Sequence, residues 1–301
     1  MKPEELEELA RRVVAAYLES VESGGGVSGG EASSPPGGPE GADGGRSAAG
    51  PAPGRSGARG KPLSRYIDHT LLRPTATAAE IDKLCREARE YGFAAVCVNP
   101  VWVERCAGEL AGSDVAVATV VGFPLGASTS RVKALEAEDA IERGATELDM
   151  VAALGKIKEA DWAAVEADVR AVVEAAAGRA AVKVILETAA LEPMEIVRAA
   201  MLCREAGAQY VKTSTGFHPA GGATAEAVAL LRLAVGPTVG VKASGGVRTC
   251  EDALRMIAAG ATRIGTSSGV EIAASCGHVV PQFDPVVHWP GHLPPEPTAD
   301  R

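Results

Sequence analysis

Two lysines at equivalent places in neighbouring apolar runs are the residues best suited to chemistry. Lys212 lies in the run of residues 210–216 and is followed by Thr213, two further hydroxyl residues and a glycine. Lys242 lies in residues 239–246 and is followed by an alanine, a serine and two glycines. Burying an ammonium costs several kcal/mol unless it is paired or loses its proton. The pattern favours one lysine as a Schiff-base nucleophile whose pKa the other lowers.

Each lysine taken alone has an ordinary alternative, an ammonium exposed at a strand end or held in a structural ion pair. Their shared setting on successive predicted strands favours function. Asp149, between two apolar neighbours, is the candidate for proton transfer, directly or through water, within hydrogen-bond reach of the carbinolamine. A carboxylate that merely balances the charge of Lys212 or Lys242 gives the same sequence pattern.

Supporting roles are predicted for further polar residues on these strands. Lys183 and Glu187 share a strand face and are expected to pair inside the fold. Cys97 is expected to face inward as a small apolar side chain. Asp68 and Thr70 open the first strand, with a histidine between them that suits a hydrogen-bonded core position. The histidines form no spacing typical of a metal site, so neither a metal nor another cofactor is expected.

Three glycine-rich strand ends predict a phosphate site. They contain Gly216, the pair Gly245 and Gly246, and the hydroxyl residues Ser267 and Ser268. Glycine lets the backbone approach an anion closely, and the N–H groups at a following helix start can bind it. Glycine at a strand end is also ordinary turn chemistry, so the prediction depends on the three segments acting together.

The elements that position these residues alternate along the chain. Short apolar runs recur at residues 66–72, 94–99, 115–123, 147–152, 181–188, 210–216, 239–246 and 263–269. Helical patterns separate most of them, at residues 78–91, 128–143, 161–177, 192–206, 223–235 and 250–259. Eight strands alternating with helices predict an α/β fold, the (β/α)8 barrel. A doubly wound sheet is the alternative, but no G-x-G-x-x-G follows the first strand.

Strand alternation gives these side chains a direction. In residues 182–187, Lys183 and Glu187 fall on one face and purely apolar residues on the other. We expect the apolar faces to meet the helices and Asp149, Lys212 and Lys242 to point into the barrel mouth.

Composition fits a sizeable core of small aliphatic residues, because 46% of the 301 residues are hydrophobic and only 4% aromatic. The net charge of −9 and pI near 5.2 argue against nucleic acid or an anionic membrane as the main partner. A local anion site stays compatible with that charge.

The scattered cysteines, with no C-x-x-C pair, predict free thiols in a cytoplasmic protein. No run of apolar residues is long enough to span a membrane.

Four segments are predicted from the change in composition along the chain. Residues 1–22 form an amphipathic helix, and residues 23–60, rich in Gly, Pro, Ser and Ala, form a disordered linker. Residues 61–276 form the barrel, and residues 277–301 form a Pro-rich tail. The first helix is expected to be an accessory attached to the barrel or to a neighbouring subunit.

Five motifs resemble one family. Residues 67–72, 147–151, 183–188, 210–216 and 241–249 are similar, in this order, to deoxyribose-phosphate aldolase, over residues 63–275. The resemblance implies a metal-independent barrel aldolase that reversibly cleaves 2-deoxy-D-ribose 5-phosphate to D-glyceraldehyde 3-phosphate and acetaldehyde. It implies that Lys212 forms the Schiff base, Lys242 tunes it and Asp149 relays protons with a bound water. It also implies phosphate contacts at the glycines and serines named above, and makes a homodimer plausible.

Two alternatives remain open from the residues. One is a Schiff-base barrel aldolase acting on another sugar phosphate, which dihydroxyacetone phosphate or pyruvate release would reveal. The other is a non-catalytic sugar-phosphate-binding barrel, which predicts no turnover and a Lys212→Ala variant that keeps its ligand affinity.

Overall fold

The computed structural model describes residues 3–22 and 61–276, and eight parallel strands in it close into a barrel in chain order. The strands are β1 (Ile67–Leu71), β2 (Ala95–Val98), β3 (Ala116–Val121), β4 (Glu147–Val151), β5 (Ala181–Ile185), β6 (Tyr210–Lys212), β7 (Gly240–Ser244) and β8 (Arg263–Thr266). The helices are α1 (Pro3–Glu22), α2 (Ala78–Tyr91), α3 (Val103–Glu109), α4 (Ser130–Glu142), α5 (Leu154–Lys158), α6 (Trp162–Ala176), α7 (Pro193–Glu205), α8 (Ala225–Val235), α9 (Cys250–Ala258) and α10 (Gly269–Cys276). The predicted (β/α)8 barrel is therefore confirmed.

The helix ring covers the apolar outer face of the strands. Val182, Val184 and Val211 belong to the core cluster shared with the buried faces of the helices, as the strand alternation predicts. Thr77 and Thr249 form capping boxes that begin α2 and α9, which fixes where those helices leave the strand ends. Short helices α3 and α5 were not predicted, because each is too brief to show a helical period.

The barrel closes through the pairing of β1 with β8, in which Asp68 lies beside Gly265. Neighbouring registers place Asp149 beside Lys183 and Lys212 beside Lys242. Because every strand is parallel, all eight carboxyl ends lie at one end of the barrel, which we call the mouth. The polar residues predicted from sequence are thereby brought to the interior and its mouth.

Helix α1 packs against α7 and α8 of the same chain, with Ala10 and Val13 fully buried. Leu18, near the other end of the helix, is exposed. The predicted linker at residues 23–60 and the tail at residues 277–301 lie outside the described residues. Along the described ranges, no helix is both long and apolar enough to cross a membrane.

The prediction that all cysteines are free thiols is wrong for one pair. Cys250, at the start of α9, forms a disulfide with Cys276, at the end of α10, with their Cα atoms 5.5 Å apart. The other four cysteines are free and buried. Sequence spacing could not reveal the pair, because 26 residues and a whole βα unit separate the two positions.

Candidate active site

Lys212 and Lys242 meet at a single carboxylate oxygen inside the barrel. The Nζ atoms of Lys212 and Lys242 lie 2.8 and 2.7 Å from Oδ2 of Asp149. The two nitrogens cannot be farther apart than the sum of these distances, which is within the range of about 6 Å over which one charge shifts the pKa of another group. The geometry required for one lysine to tune the other is present.

The two lysines have opposite pKa shifts. Burial lowers the pKa of Lys212 and the neighbouring Lys242 lowers it further, while Asp149 only partly opposes them. Burial also disfavours the charged form of Lys242, but Asp149 and Asp68 outweigh it and raise the pKa of Lys242. Lys212 is therefore the lysine that gives up its proton more readily, and Lys242 keeps its charge.

Asp149 contacts the Nζ atoms of three lysines. Its Oδ1 accepts a hydrogen bond of 2.7 Å from Lys183, while Oδ2 is shared by Lys212 and Lys242. Burial raises the pKa of a carboxyl group, but these cations outweigh it and hold the pKa of Asp149 well below its ordinary value. Asp149 is ionised in the free protein and orients the lysines around it.

A second layer of ion pairs lies below Asp149, toward the amino ends of the strands. Lys183 Nζ lies 2.7 Å from Glu147 Oε2, and Arg263 lies 3.0 Å from the other oxygen of Glu147. Arg263 also lies 2.6 Å from Asp68 Oδ1, while Lys242 bonds to Asp68 Oδ2 at 2.5 Å. The barrel network is defined as these seven residues: Asp68, Glu147, Asp149, Lys183, Lys212, Lys242 and Arg263.

The barrel network holds four cationic side chains and three carboxylates. Lys183 pairs with all three carboxylates, and Lys242 and Arg263 pair with two each. Among the described residues, Lys212 pairs with Asp149 alone. An uncompensated charge is costly in a buried site, so the network is balanced when one cation loses its proton. Lys212 has the fewest opposing charges, and the network therefore favours a neutral amine at that position.

Glu147 and Arg263 were missed by sequence reasoning as members of the site. A signal for Glu147 was available, because it lies two residues before Asp149 and so shares its strand face. Arg263 opens β8 beside Lys242 of β7. Its contact with Asp68 depends on the closure of the barrel between β8 and β1, which no local pattern specifies.

The predicted Lys183–Glu187 pair is wrong. Lys183 pairs with Asp149 and Glu147, whereas Glu187 accepts hydrogen bonds from the backbone N–H and the hydroxyl of Thr215. β5 ends at Ile185, and Glu187 has a positive φ of 53°. The strand alternation that put both residues on one face therefore stops before Glu187, which joins the loop after β5 to the loop after β6.

The remaining supporting residues have different surroundings. Thr213 joins β6 to β7, because its hydroxyl donates to the carbonyl of Ser244 and accepts from the Ser244 N–H. Thr70 donates its hydroxyl to the carbonyl of Asp68 on its own strand, and the structure does not bring it to the barrel network. Both hydroxyls form hydrogen bonds with backbone groups in this structure.

Cys97 belongs to an apolar cluster inside the barrel, with Leu72, Ala95, Ala118 and Val120. Burial raises the pKa of the Cys97 thiol, and Asp149 raises it further. A neutral thiol agrees with the predicted role as a small apolar side chain. The apolar half of the interior is defined as these five residues, which come from β2, β3 and the segment after β1.

The predicted phosphate glycines come together at the mouth. Gly216, Gly245 and Gly246 have φ values of 83°, 85° and 87°, which favour glycine. A Cβ atom on Gly245 would lie 3.1 Å from the Cα of Gly222 and 3.4 Å from that of Gly216. The loops after β6 and β7 therefore approach backbone to backbone. The space beside Gly246, where a Cβ atom would meet no atom within 4 Å, is called the glycine-lined opening.

Ser267 and Ser268 lie between β8 and the first residue of α10. Ser267 is exposed, while the N–H of Ser268 donates to the hydroxyl of Thr266 at 3.0 Å. Thr266 in turn donates to the carbonyl of Val247 at 2.7 Å, which joins this segment to the loop that follows Gly246. The third glycine-rich strand end is thus attached to the second.

His69 has the core position expected for it, since its Nε2 lies 2.9 Å from Glu87 of α2. In the described part of the chain, no three His, Cys, Asp or Glu side chains are grouped so as to hold a metal ion.

Comparison with known proteins gives a consistent result. Residues 63–275 match the family described as DeoC/LacD family aldolase. Deoxyribose-phosphate aldolase of Brevibacillus brevis is 61% identical over 210 residues, which is 70% of this chain and 94% of that protein. The protein of the same name from Listeria monocytogenes serotype 4a is 58% identical over 212 residues, or 70% of this chain and 95% of that protein.

Solved structures are similar over the same region. A putative deoxyribose-phosphate aldolase from Coccidioides immitis matches with a TM-score of 0.69 and 45% identity, over 72% of this chain and 86% of that chain. A deoxyribose phosphate aldolase from Aeropyrum pernix, described as tetrameric, matches with a TM-score of 0.67 and 39% identity, over 72% and 92%. On the match over residues 63–275 and these relatives, the chain belongs to the DeoC/LacD aldolase family.

Proposed function

We propose that this aldolase reversibly cleaves 2-deoxy-D-ribose 5-phosphate to D-glyceraldehyde 3-phosphate and acetaldehyde through a Schiff base on Lys212. The observation that carries the proposal is the shared Asp149 oxygen, which places Lys242 beside a buried lysine with a lowered pKa. A neutral amine adds to carbonyl carbon, whereas an ammonium cannot. The names of the relatives give the substrate.

The reaction uses the barrel network in four steps. Lys212 adds to the C1 aldehyde of the open-chain sugar, and the carbinolamine loses water to form an iminium. The iminium accepts the electron pair of the C2–C3 bond while the C3 hydroxyl loses its proton, which releases D-glyceraldehyde 3-phosphate. The resulting enamine is protonated at C2. Hydrolysis then releases acetaldehyde and restores the amine of Lys212.

Asp149 and Lys242 serve these steps without forming a covalent bond. Asp149 holds Lys212 in place and relays protons through a bound water, while Lys242 stays protonated and favours the neutral form of Lys212. Because the charge on Asp149 is stabilised by three lysines, it is a weak base in the free protein. When Lys212 forms the iminium, the neutral amine beside Asp149 becomes a cation. This change of charge occurs at the stage when a proton must move.

The substrate phosphate is assigned to the glycine-lined opening, with Gly216, Gly245, Gly246, Ser267 and Ser268 as its contacts. The positive φ values and the backbone-to-backbone approach of the loops support this assignment. Because the Ser268 N–H donates to Thr266, the contact from Ser268 is assigned to its hydroxyl.

Reductive trapping tests the nucleophile. The protein is incubated with acetaldehyde and borohydride, digested, and mapped by mass spectrometry. We expect the ethyl adduct on Lys212. A Lys183→Met variant serves as the control for labelling at a neighbouring buried lysine. An adduct at Lys242 or Lys183 instead of Lys212 contradicts the assignment.

Product analysis tests the substrate. With 2-deoxy-D-ribose 5-phosphate, acetaldehyde and D-glyceraldehyde 3-phosphate should appear in equal amounts. Release of pyruvate or dihydroxyacetone phosphate from another sugar phosphate, without acetaldehyde, identifies a different aldolase. Binding of the sugar phosphate without turnover identifies a binding protein.

A cytoplasmic location and a homodimer complete the proposal. The Aeropyrum pernix relative is described as a tetramer, which supports self-association in the family. Light scattering of the purified chain measures the assembly directly. Disulfides are uncommon in cytosolic proteins. The Cys250–Cys276 disulfide is therefore an exception for this location. Fractionation of cells that make the protein tests the location, and recovery outside the cytoplasmic fraction contradicts it.

A further inference from the structure

An aromatic pair lies across the mouth of the barrel. Phe123, in the loop after β3, meets Phe217, in the loop after β6, with ring centroids 5.2 Å apart and ring planes at 86°. β4 and β5 lie between these two strands in the barrel. The contact therefore passes over the carboxyl ends of the strands that carry Asp149 and Lys183.

The two rings are held in different ways. Phe123 packs onto the apolar half of the interior, and its loop is fixed by the N–H of Gly122, which donates to Glu136 at 2.7 Å. Gly126 closes the same loop against Ala152, where a Cβ atom would lie 2.1 Å from the Ala152 carbonyl oxygen. Phe217 is 51% exposed, and its N–H donates to Thr215 at 3.1 Å. Phe123 is the fixed side of the contact, and Phe217 is the side with room to move.

The amine of Lys212, at the carboxyl end of β6, is almost inaccessible. Lys212 is 3% exposed, although an aldehyde must reach its Nζ for the chemistry to begin. Phe217 directly follows Gly216, so movement of Phe217 also acts on one side of the glycine-lined opening. An apolar cover over a buried lysine also keeps out the water that would favour its charged form.

We propose that Phe217, through its edge contact with Phe123, closes the β3–β6 side of the mouth and determines which aldehydes reach Lys212. Compact substrates enter by the glycine-lined side, where the phosphate is bound, and bulky apolar aldehydes are excluded by the ring pair. This selection by size and side of entry rests on the proposed function, because aldehydes are substrates only if the protein is an aldolase. Access to the Lys212 amine can be measured without turnover.

The first experiment measures that access. Wild type and Phe217→Ala are treated with a bulky amine reagent, trinitrobenzenesulfonate, or with a small one, cyanate, and labelling of Lys212 is followed by mass spectrometry. An edge-to-face ring contact is strong enough to change an open–closed ratio about three- to tenfold. We expect the bulky-to-small labelling ratio at Lys212 to rise by about that factor in Phe217→Ala.

Two variants serve as controls. Leu125→Ala removes a 73% exposed side chain from the same loop as Phe123 and should leave the labelling ratio unchanged. Phe217→Tyr keeps the ring contact and should behave as wild type, which separates the ring from a general loosening of the loop. An unchanged ratio in Phe217→Ala, or an equal rise in Leu125→Ala, overturns the proposal. Equal melting temperatures show that the labelling reports access and not unfolding.

The second experiment measures selectivity. In Phe217→Ala, kcat/KM for a bulky unphosphorylated aldehyde acceptor should rise about three- to tenfold relative to D-glyceraldehyde 3-phosphate in the synthetic direction. A constant ratio contradicts the selection by size. If wild type has no aldolase turnover, the proposed function fails while the labelling ratio still tests whether Phe217 covers Lys212.

Discussion

The interior of the barrel has a charged half and an apolar half, and the contrast between them explains the site. β1 and β4–β8 supply the seven charged side chains of the barrel network, whereas β2 and β3 supply only small apolar side chains. Every member of both halves is buried except Arg263, which is partly exposed. The difference teaches that charge is tolerated here only where each ion has partners, and that Lys212, with one carboxylate partner, is the least supported cation.

The apolar half of the interior influences Lys212 because it contains no carboxylate. A carboxylate on β2 or β3 would give Lys212 a second partner and stabilise its ammonium. Leu72, Cys97 and Val120 offer no such group. The pKa of Lys212 is therefore lowered both by burial and by the neighbouring charge of Lys242.

The largest expected effect is that of Lys212→Met. Turnover should fall by about 10⁴-fold or more, because the variant lacks the amine that we propose as the Schiff-base nucleophile. The folded-state pKa of Lys212 is lowered, so the lysine opposes folding at neutral pH, below its unfolded pKa. The melting temperature should consequently stay equal or rise. A variant that keeps imine trapping, or that melts well below wild type, contradicts this account.

Lys242→Met should destabilise the fold instead. Asp68 and Asp149 would each lose a buried partner, and breaking a buried ion pair costs about 3–5 kcal/mol. Urea unfolding at pH 7 measures the loss, with Lys156→Met as an exposed control that should change the free energy of unfolding by less than about 1 kcal/mol. Equal stability of the two variants would show that Lys242 is not the charged member of the pair.

Cys97→Asp should break the contrast between the two halves. A carboxylate at this position lies near Lys212 and Lys242, whose charges already act on the Cys97 thiol. It should raise the pKa of Lys212 and reduce the rate of imine trapping at pH 7 about 10- to 100-fold, with recovery as the pH rises. Cys97→Ala, the matched control, should trap at nearly the wild-type rate. A pH-independent loss in Cys97→Asp points to misfolding and contradicts the electrostatic explanation.

Acid should lower the free energy of unfolding over a defined pH range, because it protonates carboxylates of the charged half. The pKa values of Asp68 and Asp149 are lowered in the folded protein, so their contribution is complete above their unfolded pKa of about 4 and is lost as the pH falls below it. The free energy of unfolding should stay nearly level from pH 7 to about 5 and then fall, by about 2–3 kcal/mol for each carboxylate. Urea titrations at successive pH values measure this, and a level profile down to pH 2 contradicts it.

Much of the fold could be predicted because local patterns specify it. The alternation of apolar runs with helical periods predicted the barrel, and the two-residue period of residues 182–185 and 147–151 gave the inward direction of Lys183 and Asp149. That direction failed at Glu187, because the strand ends at Ile185 and the backbone turns to a positive φ. Alternation predicts direction only while the chain remains extended.

By itself, the sequence determined the order of the strands, the inward direction of Lys212, Lys242 and Asp149, and the glycines at the strand ends. Only the tertiary structure decided which atoms meet: the shared Asp149 oxygen, the Arg263–Asp68 pair across the closure of β8 with β1, the Phe123–Phe217 contact and the Cys250–Cys276 disulfide. The physical reason is that a side chain's direction is set by its neighbours in the chain. Its partner is set by strand register and barrel closure, which depend on the packing of the whole domain.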